Sequence, residues 1–286
     1  MIKMFVFDLD GTLLTSDQQI DENTTKMLND LHNQGKKIVI ATGRSHSLVE
    51  DIVSEYNLTC DLILNNGHEL HLDDKVSYIP FSSTKLLEVM EILAKYNMYV
   101  TAFGENNKKY SFLDIEEYYN QHILMSESIR GYSLKDSLDK PLFNKQHYTK
   151  NFFQVNQASD FSVLNILKID AKNLDKETTK KCLQELEHID GLLLSSSYEA
   201  YIEVIQDNAH KGIAVLELAS RYGIMPDEIC AFGDSGNDIE MLQVVTHSFA
   251  MANASDKVKS VAKYVTDTNN NQGVFKGIQK IIEMEN

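Results

Sequence analysis

The sequence is poor in cysteine, and this excludes two common ways of stabilising a fold or holding a metal. The 286 residues include three cysteines, Cys60, Cys182 and Cys230. Their number is odd and none of them shows CxxC spacing, so neither a disulfide framework nor a zinc site is predicted. Each is expected to be a small buried apolar residue rather than a reactive thiol.

Long apolar runs are also absent. None reaches the ~18 residues that a membrane-spanning helix needs. The first apolar run leads straight into Asp8, without the separate charged, apolar and cleavage regions of a secretory signal. We therefore expect a cytoplasmic protein that does not interact with a membrane.

Positive charge is scarce, with 27 Lys and Arg against 42 Asp and Glu and a formal net charge of −15. Such a surface repels nucleic acid and anionic lipid, so neither is expected as a partner. It would also repel an anionic substrate. A site for phosphate esters would therefore need a local cationic centre, made of a metal ion and a few well-placed Lys or Arg side chains.

The chain is longer than one typical core of about 100–150 residues, so two domains are expected. Strand and helix signals alternate in the first eighty residues and again after residue 209, which predicts a parallel sheet with helical crossovers. In the middle the strand signals come in adjacent pairs, although residues 110–148 give no clear assignment. With only three prolines, composition does not mark the boundaries.

These patterns predict an α/β protein with a doubly wound, Rossmann-like parallel-sheet core and an inserted α+β domain. We assign residues 1–81 and 209–286 to the core and residues 82–208 to the insertion.

The first candidate site is the pair Asp8 and Asp10, which ends the first predicted strand and precedes Gly11 and Thr12. Open parallel sheets bind ligands beyond the carboxyl ends of their strands. Neighbouring carboxylates are costly unless a cation joins them, so the pair suggests a divalent metal ion. Asp8 could accept a phosphoryl group, Asp10 could transfer a proton, and Thr12 could donate its hydroxyl or N–H to phosphate. The simpler alternative is an acidic turn after a strand. The pattern Asp-x-Asp-Gly also resembles part of a calcium loop, but the later ligands of such a loop are missing.

Two further segments could bind phosphate. Thr42 and Gly43 end the second predicted strand and offer a hydroxyl and an unobstructed N–H. Taken alone, this segment is better explained as an ordinary strand-to-helix turn. Lys211 begins a predicted helix, where a cation and a helix N-terminus together favour an anion. The alternative is a solvated surface lysine. His210, which precedes it, is interpreted as structural.

A second acidic loop, residues 233–238, follows a later predicted strand. Asp8 and Asp234, with a main-chain carbonyl and waters, would supply the octahedral oxygen shell that Mg²⁺ prefers. Asp238 could hold a metal-bound water or orient Lys211. A glycine-rich turn before a capped helix would explain this loop alone. The two acidic loops, with Thr42 and Lys211 between them in sequence, favour a metal-assisted phosphate site.

These motifs resemble the haloacid dehalogenase superfamily of phosphotransferases, and more narrowly its Cof-type hydrolases with a large α/β cap of the IIB type. The resemblance covers essentially the whole chain and is specific in the core motifs. One departure is His68, which follows Asn66-Gly67 where the family often has a small residue. The matching segments are Asp8-Leu9-Asp10-Gly11-Thr12, Ala41-Thr42-Gly43-Arg44, Asn66-Gly67, Glu203-Val204-Ile205, His210-Lys211-Gly212 and Gly233-Asp234-Ser235-Gly236-Asn237-Asp238.

The resemblance implies a role for each of these residues. Asp8 would be the nucleophile and a Mg²⁺ ligand, and Asp10 the general acid/base with its main-chain carbonyl on the metal. Asp234 would bind the metal directly, and Asp238 would support the metal or its waters. The residues expected to bind phosphate or substrate are Thr12, Thr42, Gly43, Arg44, Asn66, Lys211 and Asn237.

Within the superfamily Asp10 fits rapid hydrolysis, or phosphoryl return in a mutase, because dehalogenases lack this second carboxylate and P-type ATPases carry Thr there. The expected activity is Mg²⁺-dependent hydrolysis of small phosphorylated metabolites, such as sugar phosphates or a phosphorylated cofactor, through an aspartyl-phosphate. A phosphomannomutase-like phosphotransferase is one alternative. A non-catalytic ligand-binding regulator is another, which the presence of both Asp8 and Asp10 disfavours.

The substrate itself is not predicted. The cap is expected to close over the core site and to select the leaving group. Tyr198, Glu199 and Glu203 are its candidate contacts, against the simpler interpretation as ordinary surface or strand residues. We expect a monomer or a homodimer.

Overall fold

The computed structural model describes residues 1–72, 75–130, 144–195 and 199–285. The chain divides into two compact units. Met1–Ile79 and Asn208–Asn286 form the first, called the core unit below, and Pro80–Asp207 form the second, the inserted unit. The division expected from the sequence, at 81/82 and 208/209, differs from these bounds by two residues and by one.

The strands, in chain order, are β1 (Met4–Phe7), β2 (Lys37–Ala41), β3 (Asp61–Leu64), β4 (Glu69–Leu72), β5 (Lys75–Tyr78), β6 (Tyr99–Gly104), β7 (Lys108–Ser111), β8 (Phe152–Gln154), β9 (Ile166–Lys172), β10 (Leu192–Ser195), β11 (Tyr201–Gln206), β12 (Ile229–Gly233), β13 (His247–Ala250) and β14 (Tyr264–Val265). The α-helices are α1 (Glu22–Asn33), α2 (Glu50–Glu55), α3 (Ser83–Lys95), α4 (Ile115–Arg130), α5 (Lys145–Tyr148), α6 (Lys176–Leu186), α7 (Lys211–Arg221), α8 (Ile239–Val244), α9 (Asp256–Val261) and α10 (Gly273–Glu285).

The core unit is built on one sheet with the strand order β14-β13-β12-β1-β2-β3-β4-β5. The strands from β14 through β3 are parallel, and β4 and β5 extend the sheet as an antiparallel hairpin. The predicted α/β fold with a parallel-sheet core is therefore confirmed. Because β2 and β12 flank β1, the loops that follow these three strands lie along the same edge of the sheet.

Two apolar layers bury β1 from both sides, which explains why its sequence is an unbroken apolar run. Phe5 and Phe7 face one layer, where the ring of Phe7 stacks on that of Phe232 at 5.2 Å. Met4 and Val6 face the other layer, which includes the buried side of α7. A strand fixed on both faces holds the residue that follows it in a defined place.

Local sequence features mark both ends of α1. The Asp21 side chain accepts hydrogen bonds from the N–H groups of Asn23 and Thr24 and so caps the helix start. Gly35 follows the helix end with a left-handed φ of +81°.

The inserted unit has a second sheet, in the order β10-β11-β9-β6-β7-β8. Its pairs are antiparallel except β7 with β8. One apolar core lies between this sheet and the helices α3 and α6. Residues 110–148, which could not be assigned from the sequence, include the end of β7, α4 and α5. The buried face of this segment is aromatic, with Tyr118 fully buried and stacked on Tyr148 at 5.2 Å, so the aliphatic stripe that marks a helix is weak.

The three thiols are free, as expected. Cys182 and Cys230 are buried, whereas Cys60 is half-buried. Burial raises the pKa of Cys60 and that of Cys182 to about 12, so neither is a reactive thiolate at neutral pH. Among the described helices, none combines the length and the apolar character needed to cross a membrane.

Candidate active site

Lys211 joins two buried carboxylates at the centre of the site. Its Nζ lies 2.6 Å from Asp8 Oδ1, just after β1, and 2.6 Å from Asp238 Oδ1, in the loop after β12. Burial alone would lower the pKa of Lys211, but the charges of Asp238 and Asp8 raise it above its usual value, so the ammonium stays charged. The interpretation of Lys211 as a solvated surface lysine is wrong, because its side chain is fully buried.

The helix start explains how Lys211 reaches this position. His210 Nδ1 accepts hydrogen bonds from the N–H groups of Gly212, at 3.1 Å, and Ile213, at 3.4 Å, so His210 is the N-cap of α7 and has the structural role expected of it. The turn after β3 packs against this cap. Gly67 has a φ of +106°, and a Cβ there would lie 2.6 Å from the carbonyl carbon of His210. This close approach fixes the first turn of α7 against the end of β3.

Asp238 also organises its own loop. Its Oδ2 accepts hydrogen bonds from the N–H groups of Asp234 and Ser235, each at 2.9 Å, while Oδ1 accepts from Lys211. Of the two roles considered for Asp238, this hydrogen bond fits the orientation of Lys211.

Asp234 adds a third carboxylate. Thr12 Oγ1 donates to Asp234 Oδ1 at 2.9 Å, so the turn after β1 is tied to the loop after β12. Gly11 allows this approach, because its φ is +82° and a Cβ would lie 2.5 Å from Asp234 Oδ2. Burial, and then the charge of Asp238, raise the pKa of Asp234 to about 6.

Asp8, Asp234 and Asp238 each place one oxygen within 4.8 Å of the others. Burial, and then the charges of Asp238 and Asp234, raise the pKa of Asp8 well above its usual value despite the opposing charge of Lys211. Three carboxylates therefore share one lysine. Carboxylate oxygens are the ligands that Mg²⁺ prefers, and its charge would relieve this repulsion, so the residues present fit a magnesium ion.

Asp10 has a different environment from Asp8. Its side chain is half-exposed, and Arg44 donates to both carboxylate oxygens, from Nε at 2.8 Å and from Nη2 at 2.5 Å. The same Nη2 donates to Gln18 Oε1 at 2.5 Å. The two neighbouring carboxylates thus have different cationic partners in this structure, Lys211 for Asp8 and Arg44 for Asp10.

The ends of β2 and β3 meet the loop after β12 through polar contacts. Thr42 is buried, and its Oγ1 accepts from the N–H of Arg44 at 3.2 Å. Asn66 donates its N–H to the Thr42 carbonyl at 3.0 Å and accepts from Asn237 Nδ2 at 2.9 Å. Asn66 Oδ1 lies 3.0 Å from the position of a Cβ on Gly43. All the predicted phosphate-binding residues thus belong to neighbouring loops of the core unit.

The predicted cap contacts lie within the inserted unit. Glu199 is exposed and pairs with Lys176. Glu203 is buried on β11 and accepts from Lys168 Nζ at 3.0 Å. Tyr198 lies outside the described residues.

Asn253 and Asn269 were missed by sequence reasoning. Asn253 Nδ2 donates to the carbonyl of Gly11 at 2.9 Å, and Asn269 Nδ2 donates to that of Leu14 at 2.8 Å. These contacts join residues 242 and 255 positions apart, and no local pattern around either asparagine indicates them.

Comparison with known proteins identifies a family model and related phosphatases that match nearly the whole chain. The family model for haloacid dehalogenase-like hydrolases matches residues 5–278. The Bacillus subtilis protein named 5-amino-6-(5-phospho-D-ribitylamino)uracil phosphatase YitU is 28% identical over 98% of each chain. A haloacid dehalogenase-like hydrolase structure from B. subtilis is 26% identical, covers 96% of this chain and 98% of its own, and has a TM-score of 0.77. The subclass IIB sugar phosphatase BT4131 shares the fold, with a TM-score of 0.76 at 22% identity over 98% of each chain.

Proposed function

Because the chain belongs to the haloacid dehalogenase-like hydrolase family, we propose that it is a Mg²⁺-dependent phosphatase acting on small phosphorylated metabolites through an aspartyl-phosphate. The observation that carries this proposal is the buried Asp8 carboxylate, held by Lys211 at the edge of a parallel sheet beside two further carboxylates. We assign selection of the leaving group to the inserted unit. The cytoplasmic location and the monomeric or homodimeric state stay predictions.

In this proposal Asp8, Asp234 and the main-chain carbonyl of Asp10 hold the metal, and Asp238 supports it by fixing the loop that carries Asp234. Bound Mg²⁺ would neutralise charge on the phosphoryl group and on the carboxylates around it. Lys211 has three N–H donors and uses two of them on Asp8 and Asp238. The third can bind a phosphoryl oxygen, together with the groups assigned to phosphate on Thr42 and Gly43.

The reaction then has two steps. An oxygen of Asp8 forms a bond to phosphorus while the bond to the leaving oxygen breaks, and Asp10 donates its proton to that oxygen. Water next attacks the phosphorus, Asp10 takes up the proton, and the bond to Asp8 breaks to release inorganic phosphate. Arg44 holds both oxygens of Asp10 in this structure, so at least one of these hydrogen bonds has to open for proton transfer.

The substrate class follows from the same chemistry and from the relatives. The site is proposed for a phosphate monoester, whose terminal phosphoryl group reaches Asp8 in line with the leaving oxygen. The relative YitU is named for a phosphorylated ribityl compound and BT4131 is named a sugar phosphatase. We therefore propose sugar and sugar-alcohol phosphates as the first substrates to examine.

The test is phosphate release by the full chain from p-nitrophenyl phosphate and a panel of sugar and polyol phosphates, with Mg²⁺ and with EDTA. We expect Mg²⁺-dependent release that Asp8→Asn abolishes and that Asp30→Asn, an exposed change on α1, leaves intact. No release from any substrate, or full activity in Asp8→Asn, would contradict the proposal. Conversion of one sugar phosphate into its isomer, without free phosphate, would instead support the mutase.

A further inference from the structure

The side-chain amide of Asn253, a residue distant in sequence, is hydrogen-bonded to the turn after β1. Its Nδ2 donates to the carbonyl of Gly11 at 2.9 Å, and its Oδ1 accepts from the N–H of Asn269 at 3.1 Å. One end of the amide therefore faces an acceptor and the other a donor. Because a flipped amide would lose both hydrogen bonds, the partners themselves fix its orientation.

Asn253 contacts the turn at Gly11, the residue whose backbone conformation is least restricted. Gly11 has no side chain to restrict it and adopts a φ of +82°. On either side the chain is already held, since Asp10 is bound by Arg44 and the Thr12 hydroxyl by Asp234. Main-chain hydrogen bonds from Leu13 to the Asp8 carbonyl and from Leu14 to the Leu9 carbonyl also close this turn. The bond from Asn253 adds a side-chain restraint on the Gly11 carbonyl between them.

A second asparagine holds the same loop farther along. Asn270 Oδ1 accepts from the N–H of Ser16, and Asn270 Nδ2 donates to Ser16 Oγ, both at 2.9 Å. Asn270 is exposed like Asn253, but it binds six positions after Asp10 instead of one. The chain therefore offers a matched pair, in which the same residue type holds the same loop near to and far from the acid/base candidate.

We propose that Asn253 is a positioning residue for proton donation by Asp10, an inference that rests on the phosphatase activity proposed above. Without its hydrogen bond the Gly11 peptide loses one of its restraints, and the Asp10 carboxyl is held less precisely at the distance that proton transfer to the leaving oxygen requires. The effect must depend on the leaving group. An alkoxide needs the proton as it leaves, whereas p-nitrophenolate is stable enough to leave without it.

The experiment measures kcat/KM of Asn253→Ala, Asn253→Asp and Asn270→Ala, each with Mg²⁺, on p-nitrophenyl phosphate and on a hexose 6-phosphate that the wild type hydrolyses. This ratio reports phosphoryl transfer to Asp8, in which the leaving group departs, and not the later attack of water, which is common to both substrates. For Asn253→Ala we expect kcat/KM on the hexose phosphate to fall about tenfold, as for the loss of one hydrogen bond. On p-nitrophenyl phosphate the loss should stay below about threefold. Asn270→Ala should leave the ratio of the two kcat/KM values at the wild-type level.

Asn253→Asp serves as the second variant if the alanine variant fails to fold. It keeps the acceptor for the N–H of Asn269 but turns an anionic oxygen towards the Gly11 carbonyl, so the same leaving-group dependence is expected. Equal losses of kcat/KM on both substrates, or the same dependence in Asn270→Ala, would overturn the positioning role. A wild-type protein that hydrolyses no phosphate ester would instead overturn the proposed function and this inference with it.

Discussion

Each unit of the molecule buries a lysine between two carboxylates, and yet only one of these clusters is proposed to be catalytic. In the core unit Lys211 lies 2.6 Å from both Asp8 and Asp238. In the inserted unit Lys168 lies 3.0 Å from Glu203 and 3.2 Å from Asp170. The four carboxylate side chains are all at most 15% exposed. A buried lysine with two acidic partners is thus not by itself the mark of an active site.

The two clusters differ in what surrounds the ion pairs. In the inserted unit Tyr201 donates its hydroxyl to Asp170 at 2.9 Å, and Ser195 donates to Glu203 at 3.1 Å, so hydroxyl groups solvate the carboxylates. In the core unit the surrounding group is a third carboxylate, Asp234, and the pKa of Asp8 is raised well above its usual value, chiefly by burial. The excess of negative charge distinguishes a site that favours a metal ion from a structural network.

The largest expected effect is that of Lys211→Met on catalysis. We expect kcat to fall by at least about a thousandfold, because the ammonium proposed to stabilise the transferring phosphoryl group is lost from a buried site. Lys168→Met, the same change in the other cluster, should leave hydrolysis of p-nitrophenyl phosphate within about threefold of the wild type if its cluster is structural. Steady-state assays of both variants test this, and a thousandfold loss in Lys168→Met would break the comparison.

The next effect is on the stability of the inserted unit. Lys168→Met leaves Asp170 and Glu203 without their cation, and breaking such a buried pair costs about 3–5 kcal/mol. Hydrogen exchange of amides in β9 and β11, followed by mass spectrometry, should accelerate accordingly, while exchange in β1 stays unchanged. Unaltered protection in β9 and β11 would show that the cluster contributes little to this unit.

Lys109 is a third buried lysine, and it extends the comparison because its hydrogen-bond partner is a neutral carbonyl instead of a carboxylate. Lys109 Nζ donates to the carbonyl of Tyr148 at 2.8 Å, and burial lowers the pKa of Lys109 to about 8. Between pH 8 and the ordinary lysine value the unfolded chain binds more protons, so the free energy of unfolding rises with pH in this window. Below pH 8 the full penalty applies, about 3 kcal/mol for a shift of this size.

Lys109→Met should therefore stabilise the inserted unit at pH 7, and its advantage should shrink as the pH rises through 8 and 9. Urea unfolding at pH 7, 8 and 9, or hydrogen exchange in β7, measures this difference. The control is Lys108→Met, an exposed neighbour, for which we expect no such trend. A constant difference between Lys109→Met and the wild type at all three pH values would contradict the prediction.

The smallest expected effect concerns Asp234, the third carboxylate of the core cluster. Burial and the charge of Asp238 raise the pKa of Asp234 to about 6, so Asp234→Asn should stabilise the metal-free core unit by on the order of 2 kcal/mol. Added Mg²⁺ should then raise the melting temperature of the wild type but hardly that of the variant. Thermal unfolding with Mg²⁺ and with EDTA measures both. Equal stabilisation by Mg²⁺ of Asp234→Asn and the wild type would count against this metal site.

The local part of the site could be predicted from the sequence because parallel strands impose it. Asp8, Thr42 and Asp234 each follow a strand, and the carboxyl ends of neighbouring parallel strands lie along one edge of the sheet. Burial is harder to predict, because it depends on the whole fold. Nothing in the sequence around Lys211 distinguishes it from a surface lysine. Its burial depends on a contact with Asp8, which lies 203 positions away in the chain.

The role of Asn253 and the helix α4 were not predicted for the same reason, dependence on contacts that are distant in the sequence. Nothing near Asn253 in the sequence distinguishes it from a turn residue, since its partners come from the first and the last parts of the chain. In α4 the buried residues include Tyr118 and Met125 rather than a regular aliphatic stripe, so the periodicity that predicts a helix is weak. In both cases tertiary contacts supply what local preference does not.

The insertion also sets the order in which the chain can fold as it is synthesised. The strands of the inserted unit come from one continuous segment, so all of its contacts are available once residue 207 has left the ribosome. β1 has to wait longer, because Met4 pairs with Ile229. Until that strand emerges, one edge of β1 stays open and the acidic loop after β12 cannot lie beside Asp8. A nascent chain that stops between residue 207 and β12 thus carries all of the inserted unit, while the proposed nucleophile Asp8 still lacks part of its site.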